Sequence, residues 1–530
     1  MTVLGTPIGT EEFVTRQVEE RLADKERLWD AIPTVQDVQC AWQILVQCAG
    51  PRANHLLRTV PPTQVSKHAR RHDDGLWRAA ATLLGGVEDQ HLALKPKQLA
   101  SLPMRLGGAG LRSADRTAPA AYWASWADAL AMLQARAPNV ASQVVAALDA
   151  DLHATPPCAG AAPACGLHGC LKELRSAEDL LRREGFVDLP VWPELRDGRR
   201  PPKPHSREPG EWPHGWQYYA SSIREHFFRK HVVLATSGDA NQAHLRSHSG
   251  CNAGAALLGA PTGPEVTVEP TLFRTLLRAR LRLPLDVTEA HCERCGERLD
   301  EQGRHRAACP KTGRLEKRAV PPECAVARMC REAGATVRRN AKLKDLNLGV
   351  SQSDGRHVEV LAQGLPCYGG RPMVVDVTLR HGLTAEGLPH PGAATRDGAV
   401  AERARQDKED TYPELVGSSR CKLVVVAVET GGRWSAEAAY FVERLAYAKA
   451  RETTPLLRAA ARLAWERRWV RMLSTACAKA FALSLVAPAG TSLLAAEDGG
   501  SPELSDLLSR ACGDVRAGAA SEAAKPSLNG

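Results

Sequence analysis

Four residues in one short segment could hold a metal. Cys292, Cys295, His305 and Cys309 are spaced C-x2-C-x9-H-x3-C. Three thiolates and one imidazole form a closed tetrahedral set that suits structural zinc. Gly296 and Gly303 stand where such a knuckle must turn tightly. The bland alternative is a chance cluster in a chain with 15 cysteines. A full ligand set within one short segment favours the metal. His291 is a spare candidate, but it adjoins Cys292 and cannot give the usual bite. Cys40, Cys48, Cys158, Cys165 and Cys170 lack a matching set and read as buried or idle thiols.

A second group could cut a phosphodiester. Glu359 lies in RHVEVLA, Asp376 in MVVDVTL and Lys408 in ARQDKEDTYPEL. Two acids close together can hold Mg²⁺, and a cation beside them can steady an attacking water and the scissile phosphate. Neighbouring strands lie ~4.8 Å apart, so carboxylates on adjacent strands reach one ion if the register allows. Asp376 interrupts an apolar run, which is costly for a charge unless it is paired or metal-bound. Taken singly, each residue has a plainer role: a solvent-facing strand position for Glu359, a pair with Arg380 for Asp376, a solvated helix face for Lys408. Asp345 and Asp354 are alternative acids.

The elements that must position these groups follow from the apolar pattern. Arg314–Gly334 reads as a helix. Ala335–Arg339, Arg356–Ala362, Pro372–Leu379 and Cys421–Glu429 read as strands, with a helix over Asp397–Asp410 between the last two. The order is helix, three strands, helix, strand. Ser435 can cap a further helix. Pro455–Val486 reads as a long helix with Arg458, Arg462, Arg467, Arg468 and Arg471 on its polar side. That side could track a phosphate backbone or be a solvated face. Upstream, Glu11–Ile32, Val38–Ala49, Ser66–Leu84, Ala118–Leu133, Val140–Leu152, Trp212–Lys230 and Thr271–Leu281 read as helices. Leu102–Ser113 is a Gly-rich loop, and Asp197–Pro209 is the best linker.

The remaining signals are weaker. The glycines of Leu106–Leu111 follow no strand, which argues against a dinucleotide loop, and no P-loop is present. His55, His68 and His72 lie near Asp73 and Asp74 and read as solvated. Trp212, Trp216, Tyr218 and Tyr219 could stack on bases, with core packing the plainer role. With 44% apolar and 24% charged residues the composition is that of a globular protein. A net charge of +9 permits a polyanionic partner without requiring one. Met1–Val14 has neither the basic start nor the apolar run of a secretory signal. Ala480–Ala496 is short and broken by Pro488 and Gly490, so no membrane span is expected. These features suggest an intracellular, reduced protein with no membrane partner.

Taken together, the motifs resemble the C-terminal part of a non-LTR retrotransposon polyprotein. A CCHC knuckle, an acid on a strand, a second acid in an apolar strand and a lysine shortly before a tyrosine are similar to the restriction-like endonuclease of site-specific elements. The resemblance implies a PD-(D/E)xK-type domain with its lysine displaced onto the helix. Glu359 stands at the Asp of the Pro-Asp motif, Asp376 at the second acid, and Lys408 and Tyr412 at the lysine–tyrosine motif. Leu423–Trp434 is similar to the closing strand and its turn. Leu4–Val14 resembles the last palm motif of such reverse transcriptases. Residues 33–113 resemble thumb and linker, and the stretches Leu245–Pro261 and Phe273–Leu281 the approach to the knuckle. Departures are Val358-Glu359 in place of Pro-Asp, a knuckle of wider spacing, Thr411 directly before Tyr412, and the absence of any Tyr-x-Asp-Asp polymerase motif.

The expected fold is therefore mixed. Its N-terminal two-thirds are mainly α-helical, followed by a zinc knuckle and an α/β restriction-endonuclease-like domain. The expected divisions are a thumb-like helical region over 1–150, a Pro-rich helical linker over 151–285, the knuckle over 286–312, the nuclease over 313–486 and a disordered tail over 487–530. The resemblance implies Mg²⁺ at Glu359 and Asp376 beside structural Zn²⁺. DNA is the implied partner and substrate, with retroelement RNA as a second partner, and the location is nuclear. Oligomeric state is not legible. The competing expectation is a catalytically inactive, zinc-dependent nucleic-acid-binding remnant.

Overall fold

A computed structural model describes residues 1–86, 90–149, 168–201, 214–287, 289–487 and 502–508. Cys158, Cys165, Trp212, the linker beyond Pro201 and nearly all of the expected tail lie outside the described residues. The protein is mostly helical, with a small four-stranded mixed sheet and a two-stranded hairpin of Thr2–Val3 and Thr6–Pro7. Its contacts form two units whose segments interleave along the chain. One comprises Met1–Thr34, Ile44–Thr82 and Leu111–Thr236, the other Val35–Gln43, Leu83–Gly110 and Ser237–Gly530.

The first unit is helical. Helix α1 (Glu11–Ala31) starts where the Thr10 hydroxyl accepts the Phe13 N–H, with Glu11 and Glu12 in its first turn. Helix α2 spans Pro62–Leu83. Helix α3 (Ala114–Arg136) is capped by Ser113, whose hydroxyl accepts from Arg116 N. Helices α4 (Pro138–Asp149), α5 (His168–Arg183) and α6 (Trp216–Phe228) complete the larger core. There Trp123 packs at 5.8 Å from Trp216, 5.9 Å from Phe186 and 6.2 Å from Trp192, centroid to centroid. Trp216 is thus a core residue, whereas Tyr218 is exposed and stacks on His214.

The histidines of α2 differ from expectation. His68 and His72 are buried, not solvated. Lys25 Nζ lies 3.0 Å from His68 Nε2, and Gly50 O lies 3.0 Å from His72 Nε2. One turn apart, the two rings face α1 instead of water. Asp73, next on α2, accepts from Ser113 Oγ and from the N–H of Ala114, and so fastens the start of α3.

The second unit contains the sheet. Its helices α7 (Asp239–Ser247), α8 (Pro270–Arg280) and α9 (Arg304–Ala308) precede α10 (Arg314–Glu332). Strands β1 (Thr336–Lys342), β2 (His357–Gln363) and β3 (Met373–Arg380) follow. Then come α11 (Ala399–Thr411), β4 (Lys422–Glu429), α12 (Ala436–Ala450) and α13 (Arg458–Val486). The strand order is β1-β2-β3-β4, antiparallel except for the parallel pair β3/β4, which α11 connects. MVVDVTL and KLVVVAVE are near-continuous apolar runs because β3 and β4 are buried on both faces. Helix α10 packs along β1, β2 and β3. On α11, Ala401 and Ala404 share a core with Leu361, Val374 and Leu423. Ser435 caps α12 by accepting from Ala438 N.

Two helix arginines, Arg280 and Arg468, are buried, the second instead of lying on its expected polar side. The Arg280 guanidinium donates to the carbonyls of Gly108, Met104, His248 and Ala253, which ties the Gly-rich loop to the unit. Arg468 on α13 is held by Glu332 and Glu265 and does not face solvent. Pro455–Val486 is long and apolar enough to cross a membrane by length and composition, yet 61% of its apolar stretch is buried in the fold. It packs against α10 and α12 as a core helix.

Candidate functional site

The metal-ligand cluster is built by three local devices. Cys292 N donates to Glu297 O, and Gly296 N returns to Cys292 O, closing a tight loop in which Gly296 has φ +77°. The Asp300 carboxylate accepts the N–H groups of Gln302, Arg304 and His305, which starts α9. One turn on, Cys309 N donates to His305 O. The result gathers Cys292, Cys295, His305 and Cys309 with all ligand atoms within 4.8 Å of one another. Cys295 Sγ is 3.1 Å from His305 Nε2 and 3.8 Å from Cys309 Sγ. A tetrahedron with Zn–S arms of ~2.3 Å has S···S edges of about 3.8 Å, so the spacing fits zinc. His305 Nδ1 lies 3.1 Å from Ala385 O, which leaves Nε2 for the ion. Although burial opposes ionisation, the N–H groups of Arg294 and Cys295 bring the Cys292 thiol down to about 6. Burial, with thiol neighbours, pushes Cys309 up to about 11. The four sequence-predicted ligands are brought together, and His291 is exposed and outside the set.

The second group also converges. The β2/β3 ladder pairs Val360 with Val375 and Leu361 with Val374. One step further, the same register sets Glu359 opposite Asp376. Lys408, on α11, places Nζ 2.8 Å from Asp376 Oδ2 and 3.8 Å from Glu359 Oε1. Val377 N–H donates to Glu359 Oε2. Asp376 is 1% exposed. Its Oδ2 is met by the Lys408 ammonium, while Oδ1 is buried without a hydrogen-bond partner among the described residues. An acceptor left open beside a second carboxylate is what a hard divalent cation would fill.

Burial, then the negative charge of Asp376, pushes the Glu359 carboxyl up to about 8 against the pull of Lys408. Burial also raises Asp376, with Lys408 opposing. Two acids in a poorly solvated site cannot both ionise cheaply, so a dication there would displace a proton.

Tyr412 takes a different place. It is buried in the core beneath β2, and its hydroxyl donates to His357 O at 2.8 Å. It fixes the end of α11 to β2 two residues before Glu359, and its hydroxyl feels the charges of both acids. Asp345 pairs with Arg338 and Asp354 with Arg356, so neither joins the site. Sequence reasoning missed Glu323 on α10. It is mostly buried, ion-paired with Arg339 at 3.9 Å, and feels the charges of both Asp376 and Lys408. Its only sequence signal is an acid one helical stretch before the first strand.

The turn after β4 is tightly fitted. A Cβ at Gly431 would lie 2.6 Å from His248 Nδ1 and from the Ser247 backbone. No family model matches this chain, and no curated protein matches it.

Proposed function

We propose that this chain derives from the C-terminal part of a site-specific non-LTR retrotransposon polyprotein, and that its sheet unit nicks DNA with the help of Mg²⁺. The observation that carries the reading is the Glu359–Asp376–Lys408 cluster, in which a lysine from the following helix lies within 4 Å of two acids on paired strands. Its support is the order helix, three strands, helix, strand around that cluster, beside a Cys₃His metal set.

Glu359 and Asp376 would hold the cation, which when bound supplies Lewis acidity to a phosphate oxygen. Lys408 would orient the attacking water and balance charge on the phosphate as water bonds to phosphorus and gives up a proton to solvent. The bond to the 3′ oxygen breaks, that oxygen takes up a proton, and a 5′ phosphate and a 3′ hydroxyl remain. In a retroelement setting the hydroxyl would prime reverse transcription in the nucleus, with element RNA as template. Tyr412 acts through the backbone, holding α11 on β2.

One observation favours a second reading. Lys408 already pairs with Asp376, and Val377 N–H already satisfies one oxygen of Glu359. A site closed on itself in this way would be the remnant of a nuclease in a zinc-stabilised nucleic-acid-binding protein. Incubating the full chain with supercoiled plasmid, with and without Mg²⁺, separates the two. Metal-dependent nicked circles from wild type but not from Asp376→Asn support the enzyme. Plasmid retention on the folded, metal-loaded protein without nicking supports the binding protein.

A further inference from the structure

The Cys₃His segment is fastened to the sheet unit by buried arginines. Arg318 of α10 donates to Ala307 O on α9 and to Leu379 O at the end of β3. Arg306 donates to Leu485 O and Arg314 to Ser484 O, both at the end of α13. A segment so anchored is not a module on a free tether.

Its most consequential contact is with the connection between β3 and α11, the strand and helix that carry Asp376 and Lys408. Within that connection residues 382–390 form a small hairpin. Thr384 N donates to Leu388 O at 2.8 Å, His390 N donates to Gly382 O at 3.1 Å, and Leu383 bridges Pro389. The second half of the connection is held independently, by Arg246 on Ala394 O and Asp397. The hairpin's base is held by Leu383, buried with Ala243, Ala393 and Val400, while Leu388 at its tip is 64% exposed. Ala385 O lies 3.1 Å from Nδ1 of His305, one of the four candidate metal ligands. His390, closing the hairpin, feels the charges of Arg380 on β3 and of Arg403 and Asp407 on α11. The hairpin therefore borders the helix face next to Lys408.

We propose that the loaded Cys₃His cluster is a clasp for this hairpin. A cation on Nε2 fixes the His305 ring and its tautomer, so that Nδ1–H is held on Ala385 O. Metal occupancy thereby sets whether the wall beside the Lys408 helix is ordered. The idea rests on the metal reading of the cluster and is independent of whether the acids cut DNA.

The experiment is hydrogen exchange, read by mass spectrometry on the full chain, with metal content measured on the same samples. Three states are compared: zinc-loaded wild type, wild type stripped by chelation and then reloaded, and zinc-loaded His305→Cys. The cysteine keeps a tetrahedral ligand but lacks the ring N–H. Peptides over 382–390 are expected to exchange roughly tenfold faster or more in stripped wild type and in zinc-loaded H305C, with β3 and β4 unchanged. Reloading restores wild type alone. Unchanged hairpin protection after the metal has gone, or wild-type protection in zinc-loaded H305C, would overturn the clasp. A folded chain that takes up no metal would overturn the metal reading, and the clasp with it.

Discussion

The buried carboxylate Glu332, at the end of α10, is the hub of a polar network in the sheet unit. Its Oε1 accepts from Arg468 Nη2 at 2.8 Å and from Arg328 Nε at 3.0 Å. Its Oε2 accepts from Arg468 Nε at 3.0 Å and from the Trp469 indole at 2.7 Å. Glu265 adds a second carboxylate to Arg468 at 2.7 Å. Replacing Glu332 with Leu leaves Trp469, fully buried, with an unmet donor, and leaves Arg468 with one carboxylate instead of two. Removing one partner of a buried pair costs about 3–5 kcal/mol. Arg468→Met is milder, about 1.5–3 kcal/mol, because Glu332 keeps Arg328 and the indole. Each 1.4 kcal/mol is tenfold in an opening equilibrium, so exchange from α10 and α13 peptides should quicken roughly a hundredfold or more in E332L and less in R468M. If E332L stays within about threefold of wild type, or R468M is the worse variant, then the network does not anchor α13. Arg468 would in that case revert to a solvent-side residue free to meet phosphate.

Three further outcomes follow from the same physics. In the helical unit, His68 and His72 have their ring values lowered by burial, then by Lys25, to about 4 and about 3. The unfolded chain then takes up protons first, so stability is full above about pH 6.5 and is lost as pH falls toward 4. Protection of α1 and α2 should collapse over that window, and H68Q/H72Q should flatten the loss; an equal loss in the variant would refute it. The Glu359 carboxyl shifts the opposite way, to about 8. The metal-free fold therefore loses stability as pH rises from about 4.5 through 8, and E359Q should remove about 1–3 kcal/mol of that loss in chemical denaturation. An unchanged pH slope would show that the site is better solvated than its geometry implies. At Gly108 a Cβ would lie 2.1 Å from Leu102 O, a backbone atom that cannot swing away. G108A should cost about 3 kcal/mol, read as lost protection in residues 95–110 of the sheet unit, and a silent G108A would contradict that packing.

The candidate sites were legible because their signals are local. Four metal ligands within one short segment, and an acid inside an apolar strand, are written in neighbouring residues. The strands were placed to within a few residues for the same reason, since VVDV and VVVAV run longer than any solvent-facing strand tolerates. What could not be read depends on partners far away in sequence. Arg468 and Arg280 occupy polar-looking helix positions, but Glu332 and the carbonyls of Gly108 and His248 are more than thirty or a hundred residues off. His68 and His72 read as solvated because nothing near them in sequence reveals Lys25 and Gly50 closing over them. Tyr412 reads as a catalytic group by motif, while its bond to His357 O, which braces α11, lies outside any local pattern. Glu323 sits apart from any motif and joins the acids only through the packing of α10 on β3.

The most direct test of the nuclease account is single-turnover nicking of a supercoiled plasmid by the full, zinc-loaded chain with Mg²⁺, comparing wild type with E359Q, D376N, K408M and Y412F. The account predicts metal-dependent nicking by wild type and losses of about a hundredfold or more in E359Q, D376N and K408M. Y412F, which loses only a hydroxyl bonded to backbone, should lose less than about tenfold. Nicking that survives in D376N and K408M, or a folded wild type that never nicks with any divalent cation, would contradict it.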